Sequence, residues 1–248
     1  MNILFKNEVV EYDFFNTDCE DTILFLHGWG GNKFSFQSTI NLLKNQFNIL
    51  SVTMPTTEPT ISVWNMFDYV ALIDNLLGLT NAKNLIIICH SFGFRVAMLL
   101  NKKINIKKII VTSGAGLKKE NIFKKIMLNY NKIMLKHANF NIFYKKIASN
   151  DYLSLSKTNK ETFKNIVNLN LKFALKFNCP MLLFWGTKDT STKPWIAKQI
   201  KRKNNAKLLT VKDDHFAYIS QSNLFNHEVL KFLKSSKENI WKFITYLI

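Results

Sequence analysis

Short apolar runs rich in β-branched residues alternate along the chain with longer stretches in which apolar positions recur at helical spacing. The short runs predict strands at Thr22 to Leu26, Ile49 to Thr53, Asn84 to Cys89, Lys107 to Thr112, Pro180 to Trp185 and Lys207 to Val211. LIIIC and KIIVT are apolar without alternation, as strands covered on both faces should be. Two opening segments, 2 to 6 and 8 to 15, read as an edge hairpin. Helical periodicity covers about 34 to 46, 62 to 77, 92 to 102, 194 to 203 and 222 to 234, with Ser62, Asn65 and Ser222 near the starts. Strand and helix units in this rhythm predict an α/β fold built on a mostly parallel sheet of eight strands with helices on both sides.

One connection breaks the rhythm. Residues 114 to 178 form a 65-residue insertion carrying the helix-like segments NIFKKIMLNYNKIMLKH and NKETFKNIVNLNLKFALK. A structureless loop of that length does not suit a compact domain, so the insertion is expected to fold into helices over one end of the sheet, as a cap or lid or as a second helical layer with no role in gating.

Composition narrows the class. At 248 residues with 47% hydrophobic content, one domain with a full core is expected, and disorder or a disulfide-stapled miniature is excluded. Cys19, Cys89 and Cys179 are widely spaced and form no C-x-x-C pair, which suits reduced thiols in the cytoplasm and suggests no zinc site. No basic n-region with a long apolar core opens the chain, and no apolar run approaches the ~18 residues that span a bilayer. A peripheral membrane contact stays open.

The net charge is +17, but only Arg95 and Arg202 are arginine, against 32 lysines and 29 asparagines. Readers of bases favour the planar arginine fork, so nucleic acid is not the expected partner. The Lys and Asn surplus matches the coding bias of an AT-rich genome. Its distribution is uneven, because the insertion alone holds 13 lysines against Glu120, Asp151 and Glu161. A basic lid suits anionic or carrier-bound substrates, or esters at an anionic lipid surface.

Candidate chemistry gathers where strands end. In IIICHSFGFR, Ser91 directly follows a strand and directly precedes a helix, a turn that needs small neighbours on both sides. Gly93 is one, and Cys89 stands where a second glycine is usual. Phe94 beside this turn is expected to narrow an acyl pocket. His27-Gly28-Trp29-Gly30-Gly31 follows an earlier strand, so the backbone N–H groups of Trp29 and Phe92 are candidate oxyanion donors. Asp189 follows the strand ending at Trp185, and His215 follows the last strand, with Asp213 and Asp214 as competing partners for its ring. His27 and His90 read as structural neighbours of the two turns, His137 lies in the insertion and His227 on a helix.

With HGWGG at 27 to 31, HSFGFR at 90 to 95, WGTKD at 185 to 189 and DDHFAY at 213 to 218, the chain resembles the α/β-hydrolase family over nearly its whole length. The likeness is nearest to the carboxylesterase-like branch that includes the pimeloyl-carrier-protein methyl ester esterase. It implies one α/β-hydrolase domain with a helical cap over 114 to 178, and a serine hydrolase acting on a small-molecule ester without metal or organic cofactor. In that reading Ser91 is the nucleophile, His215 the base and Asp189 its partner, with Trp29, Phe92 and Phe216 against the substrate. Lipase, thioesterase, C–C bond hydrolase and non-catalytic receptor remain alternatives on the same fold. A serine at 91 excludes the dehalogenase pattern, which needs a carboxylate there, and a basic cap is a poor host for an aminopeptidase substrate's ammonium.

Overall fold

The computed structural model describes residues 1–17, 19–56, 60–118 and 155–235. An antiparallel hairpin opens the chain, β1 (Asn2–Phe5) and β2 (Glu8–Phe15), with Lys6 and Asn7 at φ 51° and 63° in its turn. Two successive left-handed residues give the turn a twist that matches the strands it joins. Then follow β3 (Thr22–Leu26), α1 (Gln37–Leu43), β4 (Asn48–Val52), α2 (Met66–Leu79), β5 (Ile86–His90), α3 (Phe92–Leu100) and β6 (Lys108–Thr112). After the insertion's first part come α4 (Lys157–Asn168), a 3-10 turn (Lys172–Ala174), β7 (Met181–Gly186), α5 (Trp195–Asn204), β8 (Lys207–Val211), α6 (Ala217–Ser220) and α7 (Ser222–Lys234).

The eight strands lie in the order β1-β2-β4-β3-β5-β6-β7-β8. β2 pairs antiparallel with both its neighbours, and every pairing from β4 to β8 is parallel. Central strands are apolar on both faces because each face meets helices. Ile23 and Phe25 of β3 and Ile86 and Ile88 of β5 share a core with α1 and α7. Leu24, Leu26, Ile87 and Cys89 turn the other way, into the core made with α2, α3 and α5.

The chain leaves β3 towards β4 and then returns to place β5 on the other side of β3. In open parallel sheets the crevice at such a reversal, at the carboxyl ends of the strands, is where ligands bind.

Differences from the expected elements have local causes. α1 begins at Gln37 because Asn32 and Ser35 close a turn first, with Asn32 Oδ1 accepting from the Phe34 N–H at 2.9 Å and Ser35 Oγ from the Asn32 N–H at 3.0 Å. α2 begins after Asn65, whose side chain caps the Phe67 and Asp68 N–H groups while Asp68 caps the Asn65 N–H. Of the insertion, the segment 121–137 lies outside the described residues. The second helix-like segment is broken, since Leu169 turns extended after α4 and only Lys172–Ala174 coils again. No helix of the described residues is long and apolar enough to cross a membrane.

Candidate active site

Ser91 sits between β5 and α3 at φ 46°, ψ −107°, a conformation that costs a non-glycine residue roughly 1–3 kcal/mol. Surrounding backbone holds it there. Its N–H donates to the Thr112 carbonyl at 3.1 Å, and its own carbonyl accepts from Phe94 and Ala115 at 3.1 and 3.0 Å. α3 then runs so close to the end of β3 that a Cβ on Gly93 would stand 2.2 Å from the Leu26 carbonyl oxygen. Cys89, two residues before Ser91, is fully buried in the core with Sγ 3.6 Å from the Ile110 carbonyl oxygen, and burial pushes its thiol pKa up.

Phe94 corrects an expectation. Instead of narrowing a pocket beside the serine, its ring is fully buried, stacked on Phe177 at 5.9 Å and filling the space over Gly114.

The turn after β3 lies directly against the serine turn. A Cβ on Gly28 would come within 2.6 Å of the His90 ring and 3.4 Å of Ser91 Cβ. Trp29 meets the Phe92 ring edge-on at 5.8 Å, and on its other side meets Phe163 of α4 at 5.1 Å. The Phe92 ring is itself buried, wedged between Trp29 and Tyr69, so what it can offer a substrate is its backbone N–H. As the first residue of α3, Phe92 carries one of the N–H groups that a helix leaves without an internal partner.

His27 and His90 support these turns as neutral rings. His27 donates from Nδ1 to the Gly28 carbonyl at 2.6 Å and accepts at Nε2 from the Met54 N–H at 2.8 Å. Burial lowers its pKa to about 4. His90 donates from Nδ1 to the Thr112 carbonyl at 3.1 Å, and burial, with His215 nearby, lowers its pKa to about 3.

Asp189 and His215 come together from the ends of β7 and β8. Gly186 makes this approach available, because any Cβ there would stand 2.0 Å from the Asp214 carbonyl oxygen. His215 Nδ1 donates to Asp189 Oδ2 at 2.9 Å, and the carboxylate side chain is completely shielded from solvent. Burial pushes the Asp189 pKa up, but hydrogen bonds from His215 and from both the side chain and backbone of Thr192 outweigh it and hold the pKa below the ordinary value.

The competing carboxylates are occupied locally. Asp213 accepts from Ser220 Oγ at 2.7 Å, Gln221 Nε2 at 3.0 Å and the Asp214 N–H at 2.8 Å, while Asp214 accepts from the Phe216 N–H at 2.8 Å. The His215 ring packs 4.7 Å from His90, the residue preceding Ser91, and Phe216 flanks both rings while remaining half exposed. With Nδ1 engaged by Asp189, Nε2 is the ring nitrogen that faces away from the carboxylate. His227 lies on α7, and His137 is outside the described residues.

Sequence reasoning missed two side chains here. Thr192 touches both oxygens of Asp189. Arg95, on the helix that follows Ser91, donates from Nη2 to the Ile166 carbonyl and, at 2.6 Å, to the Leu169 carbonyl, closing the C-terminal end of α4. Its rarity in a lysine-dominated chain was the one available signal.

Comparison with known proteins gives a likeness of structure without one of sequence. No family model and no curated protein matches the chain. A hydrolase from Pseudomonas aeruginosa PA01 superposes with a TM-score of 0.72 at 13% identity, covering 95% of this chain and 98% of that one. The enol-lactonase from Burkholderia xenovorans LB400 gives 0.71 at 14%, covering 95% and 100%. An esterase from Exiguobacterium antarcticum gives 0.70 at 13%, covering 94% and 99%. Strand order, the connection reversal at β3 and β5, and these superpositions agree: the chain has the α/β-hydrolase fold.

Proposed function

We propose that the protein is a serine hydrolase of carboxylic esters. The observation that carries this reading is the shielded Asp189–His215 pair, 2.9 Å apart, whose imidazole packs on the residue preceding the strained Ser91. An esterase and an enol-lactonase among the structural neighbours are consistent with ester chemistry.

In this mechanism Ser91 Oγ attacks the ester carbonyl while His215 Nε2 takes its proton. The carbonyl oxygen becomes an oxyanion that accepts hydrogen bonds from the backbone N–H groups of Trp29 and Phe92. Loss of one such donor costs on the order of 3 kcal/mol in the barrier. The C–O bond then breaks, His215 returns the proton to the leaving alcohol, and an acyl-serine remains. Water repeats the sequence, giving its proton to His215 as it attacks and releasing Ser91 with a proton restored. Asp189 fixes the Nδ1–H tautomer throughout and stabilises the imidazolium.

A second reading, hydrolysis of anionic or carrier-bound esters and thioesters, is favoured by charge. From Lys157 to Lys212 there are thirteen Lys and Arg residues against Glu161 and the buried Asp189. Neutral and anionic esters compared at low and high salt test it, since a preference that comes from charge fades as salt rises.

The main reading is tested by Ser91→Ala assayed on a short p-nitrophenyl ester. Turnover should disappear with the fold intact by circular dichroism, and unchanged turnover would remove Ser91 as nucleophile.

A further inference from the structure

Thr192 lies in the loop between β7 and α5, and every polar atom it has is engaged. Its N–H donates to Asp189 Oδ1 at 2.8 Å, and its carbonyl accepts from the buried Trp185 indole N–H at 2.7 Å. Its Oγ1 stands 2.7 Å from Asp189 Oδ2, 2.9 Å from the Ser113 carbonyl oxygen and 3.3 Å from His215 Nδ1. The residue is thus gripped by β7 through Trp185 and by the end of β6 through Ser113, while it holds both oxygens of the carboxylate.

A hydroxyl has one proton, and two acceptors compete for it. The carboxylate oxygen is nearer and ionised, and hydrogen bonds to ionised acceptors are roughly twice as strong as neutral ones, so the proton lies towards Asp189 Oδ2. That oxygen is the one that also accepts from His215 Nδ1. Any residue but proline at position 192 could supply the N–H to Oδ1, but the bond to Oδ2 needs a side-chain donor, which here is the hydroxyl.

We infer that Thr192 is a positioning residue: its hydroxyl fixes Asp189 in the orientation that receives the His215 ring and tempers the charge the ring sees. The inference rests on the serine-hydrolase reading. Other titratable groups around the pair are His90 from β5, held neutral by burial, and Asp213, Asp214, Lys188 and Lys193 on the adjoining loops. Substitution at 192 leaves all of these in place.

Thr192→Val keeps the backbone donor and nearly the same volume while removing the hydroxyl. It should lower kcat on the order of 10-fold with little change in KM, the loss expected for a hydrogen bond to a charged group. It should also move the acidic limb of the kcat/KM profile to higher pH, because a carboxylate with one donor fewer holds a proton on its imidazole partner more tightly. Thr192→Ser should stay close to the parent in both respects. A valine variant with parental kcat and acidic limb overturns the inference, as does a limb that moves to lower pH, which would mean the hydroxyl proton had been on Ser113.

If the valine variant does not fold, Thr192→Cys, with a weak donor of similar reach, is read for the same kcat loss and limb shift. Ser91→Ala and Asp189→Asn run beside it separate the two levels. Inactive controls with an unaffected Thr192→Val defeat only the positioning role, whereas an active Ser91→Ala defeats the serine-hydrolase reading itself.

Discussion

The loop around Asp189 and the seam beneath α4 both adjoin the carboxyl ends of the strands, yet they satisfy their buried polar atoms very differently. In the loop, both Asp189 oxygens, all three polar atoms of Thr192 and Nδ1 of His215 have partners. Beneath α4 the bonds are long-range and their acceptors are all neutral: Thr60 Oγ1 to Asn159 Oδ1 at 2.6 Å, the Trp64 N–H to Thr162 Oγ1 at 2.9 Å, Asn165 Nδ2 to the Trp64 carbonyl at 3.5 Å, and the Arg95 contacts. Three buried donors at that seam, Trp64 Nε1, Asn159 Nδ2 and Arg95 Nε, make no hydrogen bond among the described residues. A buried donor without a partner costs roughly 1–3 kcal/mol, so the seam is the weaker attachment. The carboxylate and imidazole of the floor are over-determined, although the Thr112 and Ser113 hydroxyls beside them make no hydrogen bond among the described residues, and the helix above is held more lightly.

The largest expected effect separates Asp189 from the neighbouring carboxylates. Asp189→Asn should lower kcat by about 10⁴-fold, as the wrong imidazole tautomer is then favoured. Asp214→Asn, which removes a charge but keeps an acceptor for the Phe216 N–H, should leave kcat within a few fold. Reversal of these two results in a steady-state ester assay would mean that the floor is organised around the wrong acid.

Next in size is the dependence of stability on pH. His27 and His90 are neutral when folded, with pKa values lowered to about 4 and about 3, but unfolding frees both rings to take up protons near the ordinary 6.5. Stability present above pH 6.5 is therefore lost progressively as the pH falls towards 4 and 3. Between pH 7 and 5 the loss should be on the order of 2 kcal/mol per histidine. Denaturant titrations should show it, and His90→Gln should flatten the slope by about one proton. A slope unaffected by that change would remove His90 from the floor's rigid support.

The seam should respond more mildly. Arg95→Met strips the α4 C-terminus of its charged partner and should cost about 2 kcal/mol in denaturant stability, with kcat on a small ester changing far less than in Asp189→Asn. Smaller still, amides of Lys157–Asn168 should exchange with deuterium faster than those of β5, β6 and β7. Equal protection would erase the contrast between floor and seam.

How much of this was legible in the sequence follows the same division. Strands such as Thr22–Leu26 and Lys207–Val211 were readable because periodicity is a local property, whereas the helix expected from 62 starts later, at Met66, where Asn65 caps it. The places of Ser91, Asp189 and His215 in the turns after β5, β7 and β8 were readable because those strands are. Thr192 was not, since a threonine three residues after an aspartate looks like any polar turn until Trp185 and Ser113 are brought to it from neighbouring strands. The grip of Arg95 on carbonyls 71 and 74 residues away has no periodic signature. Phe94 was misread because the tight serine turn sets which way the first residues of α3 face, and there the ring turns towards Phe177.

The charge excess is only partly placed by the fold, because +5 of the +17 falls between residues 119 and 154, outside the described residues. Salt dependence of substrate preference addresses it without reference to their placement.

Reaction of the protein with a fluorophosphonate, followed by peptide mass spectrometry, asks most directly whether Ser91 is the activated nucleophile. One adduct per chain on the peptide containing Ser91 is expected, slowed strongly in Asp189→Asn and absent in Ser91→Ala. Undiminished labelling of Ser91→Ala, or a parent protein that stays unlabelled while folded, would contradict the assignment of Ser91, His215 and Asp189 to a single catalytic unit.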